Sequence, residues 1–126
     1  MLAHVVEEAS RFIGRPAVIS SAPGRLDFLN THQDYKGLPV VGIGVDLRTY
    51  VVFAHQDGSK CWVGSGNMLD EGAEYFDEFD VSRPDLTGRT KWFGDYMRAA
   101  VRVLLDEGVR VRGFRAWIRS WIPVAS

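Results

Sequence analysis

The sequence predicts a mixed α+β fold: a largely antiparallel sheet with helices packed on it. Three observations carry this expectation. Apolar residues recur at helical spacing in two separate segments, near residues 2–13 and 93–104. Between and after them lie runs rich in Val, Ile and aromatic residues, bounded by Gly, Pro and Asp, as strands are. The polar interruption Asp46 to Arg48 between two such runs is short enough for a hairpin, which makes part of the sheet antiparallel. The order helix, strands, helix, strand then gives helices on a sheet in one domain, since 126 residues leave no room for two.

In the first segment, Leu2, Val5, Val6, Ala9, Phe12 and Ile13 form an apolar stripe, with Glu7, Glu8 and Arg11 opposite. Gly14 and Pro16 mark the stop, because glycine takes the left-handed backbone that ends a helix and proline cannot continue one. A short strand is expected over Ala17 to Ala22, then a polar loop from Pro23 to Gly37. LPVVGIGVDL and TYVVFAHQ read as the two strands of the hairpin, and KCWVGS as the next strand after the turn Asp57-Gly58-Ser59. Cys61 reads as a small buried hydrophobe on that strand.

Residues 70–80, DEGAEYFDEFD, hold six acids among aromatics and suit an edge strand with a solvated face. Carboxylates in that number could attract a hard cation, but the 12-residue calcium-loop pattern is absent. SRPDLTGRT is a polar linker. The second helix carries Phe93, Tyr96, Met97, Ala100, Val101 and Leu104 on its apolar stripe, and Gly108 ends it. Finally, Phe114, Ala116, Ile118 and Ile122 alternate with Arg115, Trp117, Arg119 and Trp121, the period of a strand. This pattern puts two Trp on a face with no evident cover, which suggests a domain cut short.

Composition bounds the function. A net charge of −1 gives no global field for nucleic acid or an anionic membrane, so neither is expected as a partner. Arginines 110, 112, 115 and 119 interleaved with Trp117 and Trp121 could still make a local platform for single-stranded nucleic acid. One cysteine excludes a disulfide framework, and no stretch reaches the roughly 18 uncharged apolar residues of a membrane span. The N-terminus lacks the apolar core of a secretory signal, so a cytoplasmic location is the expectation.

Residues 22–37 concentrate the chemistry: Arg25, Asp27, Asn30, Thr31, His32, Gln33, Asp34 and Tyr35. Vicinal hydroxyls of a sugar both donate and accept, and such a set of carboxylates, amides and a guanidinium answers both needs. The same residues can equally cap turns and make surface ion pairs.

The run SAPGRLDFLNTHQDYKGLPVVGIGVDLRTYV resembles the N-terminal signature of galactokinases, in the GHMP family of small-molecule kinases. Ala22, Pro23, Gly24 and Arg25 match its opening, and His32, Asp34, Tyr35, Gly37, Asp46, Leu47 and Arg48 match at the family's spacing. Downstream, Trp92 and Tyr96 fit a helix beginning W-x-x-Y. Gly113 fits the glycine opening the next strand, and Ile122-Pro123 fits the I-P before the phosphate loop. The resemblance covers about residue 17 to the end. It implies that residues 1–126 are part of a GHMP kinase N-terminal domain, with the sugar-binding signature at 17–48.

What the resemblance implies is an ATP-dependent sugar kinase with a monosaccharide substrate. Arg25 corresponds to the arginine near the phosphoryl acceptor, the catalytic residue. Asp27, Thr31, His32 and Asp34 fall at substrate-binding positions, and Tyr35 braces the loop. ATP and Mg2+ would serve the full-length enzyme. The family's phosphate loop and catalytic aspartate follow the I-P, so this stretch alone is expected to bind neither well and to be inactive. Two positions depart from the pattern: Asp27 stands where the family has Asn, and Asn30-Thr31 where it has Gly-Glu. Losing that glutamate removes a charged acceptor worth about 1.5–3 kcal/mol per hydrogen bond. The acceptor is therefore open among galactose, an amino sugar, a uronic acid, an altered hexose and a pentose. A sugar sensor that binds without phosphorylating is the alternative reading.

Overall fold

In the computed structural model, which describes residues 1–27 and 42–123, the order along the chain is helix, two strands, then strand, helix, strand, helix, strand. Helix α1 (Leu2–Ile13) precedes β1 (Val18–Asp27), β2 (Gly42–His55) and β3 (Lys60–Ser65). A short helix α2 (Gly66–Asp70), strand β4 (Phe76–Asp80), helix α3 (Gly94–Asp106) and strand β5 (Phe114–Ser120) complete it. The five strands lie in the order β1-β2-β5-β3-β4. Every neighbouring pair is antiparallel except β3 and β5, which run parallel. A parallel pair needs a long crossover, and the segment carrying α2, β4 and α3 supplies it. The mixed, largely antiparallel α+β fold is thus the observed one.

Local chemistry explains the boundaries. Gly14 after α1 and Gly108 after α3 both have φ of 80°, a backbone that side chains with a Cβ avoid. Ser65 caps α2, its Oγ accepting from the Met68 N–H at 3.3 Å.

Strand β5 occupies the centre and is covered on both faces. On one, Trp117 joins Tyr50, Val52 and Ala54 beneath Val5, Ala9 and Ile13 of α1. Phe12 stacks on the Trp117 ring with centroids 4.0 Å apart. On the other, Ala116 joins Cys61, Val63 and Phe79 against Val101 of α3. Cys61 is buried as expected, and burial raises its thiol pKa.

Several expectations are corrected. Asp46 to Arg48 is not a turn: β2 runs unbroken through it, and its antiparallel partners are β1 and β5. No residue there is a glycine or asparagine able to take the positive φ of a tight hairpin, so the polar interruption is absorbed as an irregularity of the strand. Strand β1 continues to Asp27, five residues into the stretch read as a loop; the remainder of that loop, and residues 38–41 of the first hairpin strand, lie outside the described residues. The acidic stretch splits into the end of α2, a turn and edge strand β4.

The outward Trp face of β5 is also overturned. Trp117 is fully buried and Arg119 is 7% exposed, because α1 covers this face. The alternation was right in period, but a central strand buries both sides. Trp117 is therefore closed to base stacking and Arg119 is spent on Glu8 and Asp70, which removes two members of the nucleic-acid platform. Glu8, placed on the polar side of α1, points inward to meet them. In α3 the buried line is Phe93, Met97, Val101 and Leu105, whereas Tyr96 is 82% exposed and Ala100 and Leu104 face out.

Candidate functional site

The signature segment is carried by the β1–β2 pair. Pairing runs from Val18 opposite Phe53 to Asp27 opposite Gly42, with one break. Between the pairs Pro23–Arg48 and Arg25–Gly44, the single residue Gly24 faces Val45, Asp46 and Leu47. A bulge of this kind bends the strand and re-aims the side chains beside it. Pro23 is tolerated because β1 is an edge strand and its missing N–H leaves the ladder little poorer.

Gly24 is required by close approach. A Cβ there would lie 3.0 Å from Val45 Cγ2 and 3.1 Å from Ile122 Cγ1, so the end of the β5 segment packs directly against the backbone before Arg25. Arg48, beside the bulge, donates from Nε to Ser21 Oγ at 3.1 Å, and the Trp121 N–H donates to the Arg48 carbonyl at 3.0 Å. Pro23, Gly24, Val45, Arg48 and Ile122 thus form one joint.

Of the predicted site residues, Arg25 lies at this joint, exposed and opposite Gly44. Among the described residues no atom stands within 4 Å of the Cβ position of Gly44, the cross-strand partner of Arg25. Asp27 ends β1, its backbone paired with Gly42. Thr31, His32 and Asp34 lie outside the described residues. The segment that contains them leaves from and returns to adjacent points of the sheet, because Asp27 and Gly42 are cross-strand partners. The bulge and the Gly24–Ile122 contact were missed from sequence. Their signal was the glycine before Arg25 and the polar interruption taken for a turn.

Four of the six acids of residues 70–80, Asp70, Glu74, Asp77 and Asp80, have side-chain partners. Asp77 pairs with Arg98, Glu74 with Arg89 and Asp70 with Arg119. Hydrogen bonds from the Ser82 hydroxyl and N–H, then from Ser59, hold the Asp80 carboxyl down to about 2. The hydrogen bond from Arg119 likewise lowers the Asp70 pKa. Among the described residues no group of three or more His, Cys, Asp or Glu is placed to hold a metal ion. No described helix is long and apolar enough to cross a membrane.

Residues 9–55 match the galactokinase galactose-binding signature. A galactokinase of Chloroflexus aggregans is 30% identical over 117 residues, covering 92% of this chain. The chain thus carries the galactose-binding signature of galactokinases and is similar to galactokinases over most of its length. A mevalonate kinase of Thermococcus sibiricus is 24% identical over 110 residues, 86% of the chain. The chain spans 28% of the length of the Chloroflexus protein and 33% of that of the mevalonate kinase. Its fold is that of the crystal structure of Lactococcus lactis galactokinase complexed with galactose. The TM-score is 0.80 at 23% identity, over 99% of this chain and 32% of the other.

Proposed function

We propose that this chain is the sugar-contacting part of a galactokinase-like enzyme that transfers the ATP γ-phosphoryl group to a hydroxyl of a monosaccharide. The observation that supports it most is the galactose-binding signature over residues 9–55, coinciding with the β1–β2 joint that presents Arg25. Residues 1–126 correspond, in this proposal, to part of the N-terminal domain of a cytoplasmic kinase.

A guanidinium stays protonated at any physiological pH and cannot take a proton from the attacking hydroxyl. Arg25 therefore acts by stabilising charge that develops at the acceptor oxygen and the phosphoryl group. Its place after a bulge, backed by Ile122 and Val45, restricts where that charge can sit. Asp27, Thr31, His32 and Asp34 orient the sugar by accepting from and donating to its hydroxyls. ATP, with Mg2+, would supply the phosphoryl group. In this proposal the nucleotide chemistry falls to the sequence that follows Ile122-Pro123 in relatives, by resemblance to their phosphate loop, and residues 1–126 alone bind sugar without turnover.

Calorimetry with galactose, galactosamine, galacturonic acid and arabinose tests the substrate class, and coupled ADP release in the gene's complete product tests the reaction. Binding of one of these sugars and sugar-dependent ADP release are expected, with Arg25→Ala lowering turnover about 100- to 1000-fold. Binding without ADP release would make the protein a sensor. Binding of no sugar would overturn the proposal.

A further inference from the structure

Strand β5 outlasts its neighbour. β3 runs parallel to it only as far as Ser65, opposite Ile118, before the chain turns into α2 at Gly66. Further along β5, Ser120 is paired with Thr49 of β2 on one side and receives nothing from β3 on the other. The side chain of Asn67, in α2, takes that place. Its Oδ1 accepts from the Ser120 N–H at 2.7 Å, and its Nδ2 donates to the Ser120 carbonyl at 2.8 Å. A primary amide carries an acceptor and a donor in one plane, so it can answer both backbone groups of a strand residue. In the α2 sequence GNMLD no other side chain can, since an ionised Asp70 only accepts.

The residues after Ser120 are held in turn. Trp121 donates its N–H to the Arg48 carbonyl at 3.0 Å, and the Ile122 N–H donates to Ser120 Oγ at 3.2 Å. The same hydroxyl meets Thr49 Oγ1 at 2.8 Å. Ile122 is the residue that closes on Gly24, where a Cβ would come within 3.1 Å of its Cγ1, and Gly24 sits at the bulge just before Arg25. A physical path therefore runs from Asn67 through Ser120 and Ile122 to Gly24 and Arg25. Satisfying the Ser120 backbone does not by itself require an amide. Ser120 is half-buried, and water can pair such groups at nearly the same enthalpy. What Asn67 supplies and water does not is a fixed position.

We propose that Asn67 is a positioning residue for phosphoryl transfer: by holding both backbone groups of Ser120 it keeps Ile122 against Gly24, and so fixes where Arg25 presents its guanidinium. This rests on the reading of Arg25 given above, in which it stabilises charge that develops in the reaction. Such stabilisation depends on placement, a displacement of about 1 Å costing up to about 100-fold in rate. A shift of Arg25 should therefore appear chiefly in kcat and less in the KM for sugar.

The test is the kinetics of ADP release by the gene's complete product, with galactose, galactosamine, galacturonic acid or arabinose as acceptor. Two variants are compared: Asn67→Ala, and Asn67→Asp, which keeps the shape but replaces the donor by a second acceptor. Both are expected to lower kcat about 10- to 100-fold while changing the KM for sugar less than about threefold. Where Asn67→Ala does not fold, Asn67→Asp decides. Arg98→Lys, a destabilising change at the opposite edge of the sheet, should leave kcat unaltered. In an Arg25→Ala background Asn67→Asp should lower kcat no further, because the group it places is gone. A kcat retained in the Asn67 variants, an equal loss in Arg98→Lys, or a full additional loss in the Arg25→Ala background overturns the positioning role. No sugar-dependent ADP release from the unmutated product is a different failure: it overturns the proposed function, and the positioning role with it.

Discussion

Arg119 on β5 grips Glu8 on α1 through both carboxylate oxygens, at 2.7 and 2.8 Å, with each side chain 9% exposed. This pair, joined by the Trp117 indole N–H on the same carboxylate, fixes how α1 lies over the sheet. Burial by itself lowers the Arg119 pKa, but hydrogen bonds to Asp70 and Glu8 outweigh it and leave the pKa raised, so the guanidinium stays charged. Room for the pair comes from Gly66, whose Cβ would intrude on both the Glu8 carboxylate and the Arg119 guanidinium.

Removing one partner strands the other. Glu8→Ala leaves a buried guanidinium without its main counter-charge and a buried indole N–H without an acceptor, at a cost of about 3–5 kcal/mol. Replacing both, as Glu8→Leu with Arg119→Met, should be less damaging than either single change, because a buried ion pair repays little more than its own desolvation. Urea unfolding of the three variants checks this; a double variant as unstable as the sum of the singles would contradict it.

This pair also shows what sequence could and could not disclose. Helix α1, strand β3, Cys61 and the glycines that end α1 and α3 were legible because local periodicity and backbone chemistry determine them. Glu8 and Trp117 were placed on outer faces because a one-dimensional pattern cannot show that β5 sits centrally, with a helix on each side. Tyr96 and Leu104 were put on the inner stripe of α3 because apolar spacing does not say which of two adjoining lines meets the sheet. At the candidate site, residue types and spacing disclosed the galactokinase resemblance. The glycine before Arg25 and the polar interruption mark the bulge at Gly24, but they acquire that meaning only from the register between two strands.

Gly113 tests a close approach of backbone to backbone. A Cβ there would stand 2.5 Å from the Lys60 carbonyl oxygen and 2.7 Å from that of Gly58, and neither can rotate away. Gly113→Ala should therefore cost about 1–3 kcal/mol and weaken the bond from its N–H to the Gly58 carbonyl, now 3.1 Å. Denaturant midpoints and reduced protection of that amide in hydrogen exchange would report both effects. Gly44→Ala, where no atom of the described residues lies within 4 Å, is the control.

Arg98 ties α3 to the edge of the sheet. Its Nε and one terminal nitrogen bind the two oxygens of Asp77 at 2.7 and 2.9 Å, and it also donates to the carbonyls of Asp85 and Glu78. Lysine keeps the charge but cannot reproduce this planar fork. Arg98→Lys is expected to lose about 1–3 kcal/mol and to speed hydrogen exchange in residues 82–90, which the Asp85 contact anchors. Unaltered exchange there would show that the segment is held by other means.

Asp80 sets a pH dependence. Its carboxyl titrates at about 2 in the folded chain against an ordinary 3.8, so the folded state prefers the ionised form. The resulting stabilisation is fully present above the ordinary value and is lost as the pH falls through about 2. Asp80→Asn should flatten the acid limb of stability in that window and leave its shape near neutrality unchanged. Carboxyl NMR titration gives the midpoint directly, and a midpoint near 3.8 would remove the basis for the effect.

The joint beneath Arg25 offers the sharpest separation of stability from function. Gly24→Ala places a methyl 3.0 Å from Val45 Cγ2 and 3.1 Å from Ile122 Cγ1, contacts with side-chain ends that can yield a few tenths of an ångström. The stability cost should be only about 1 kcal/mol. The shift falls on the bulge that aims Arg25, so sugar affinity and, in the complete product, turnover should fall severalfold. Val45→Ala opens space on the bulge side and should restore both in the double variant. If Gly24→Ala lowers the melting temperature without altering sugar affinity, the joint supports the sheet alone and does not position Arg25.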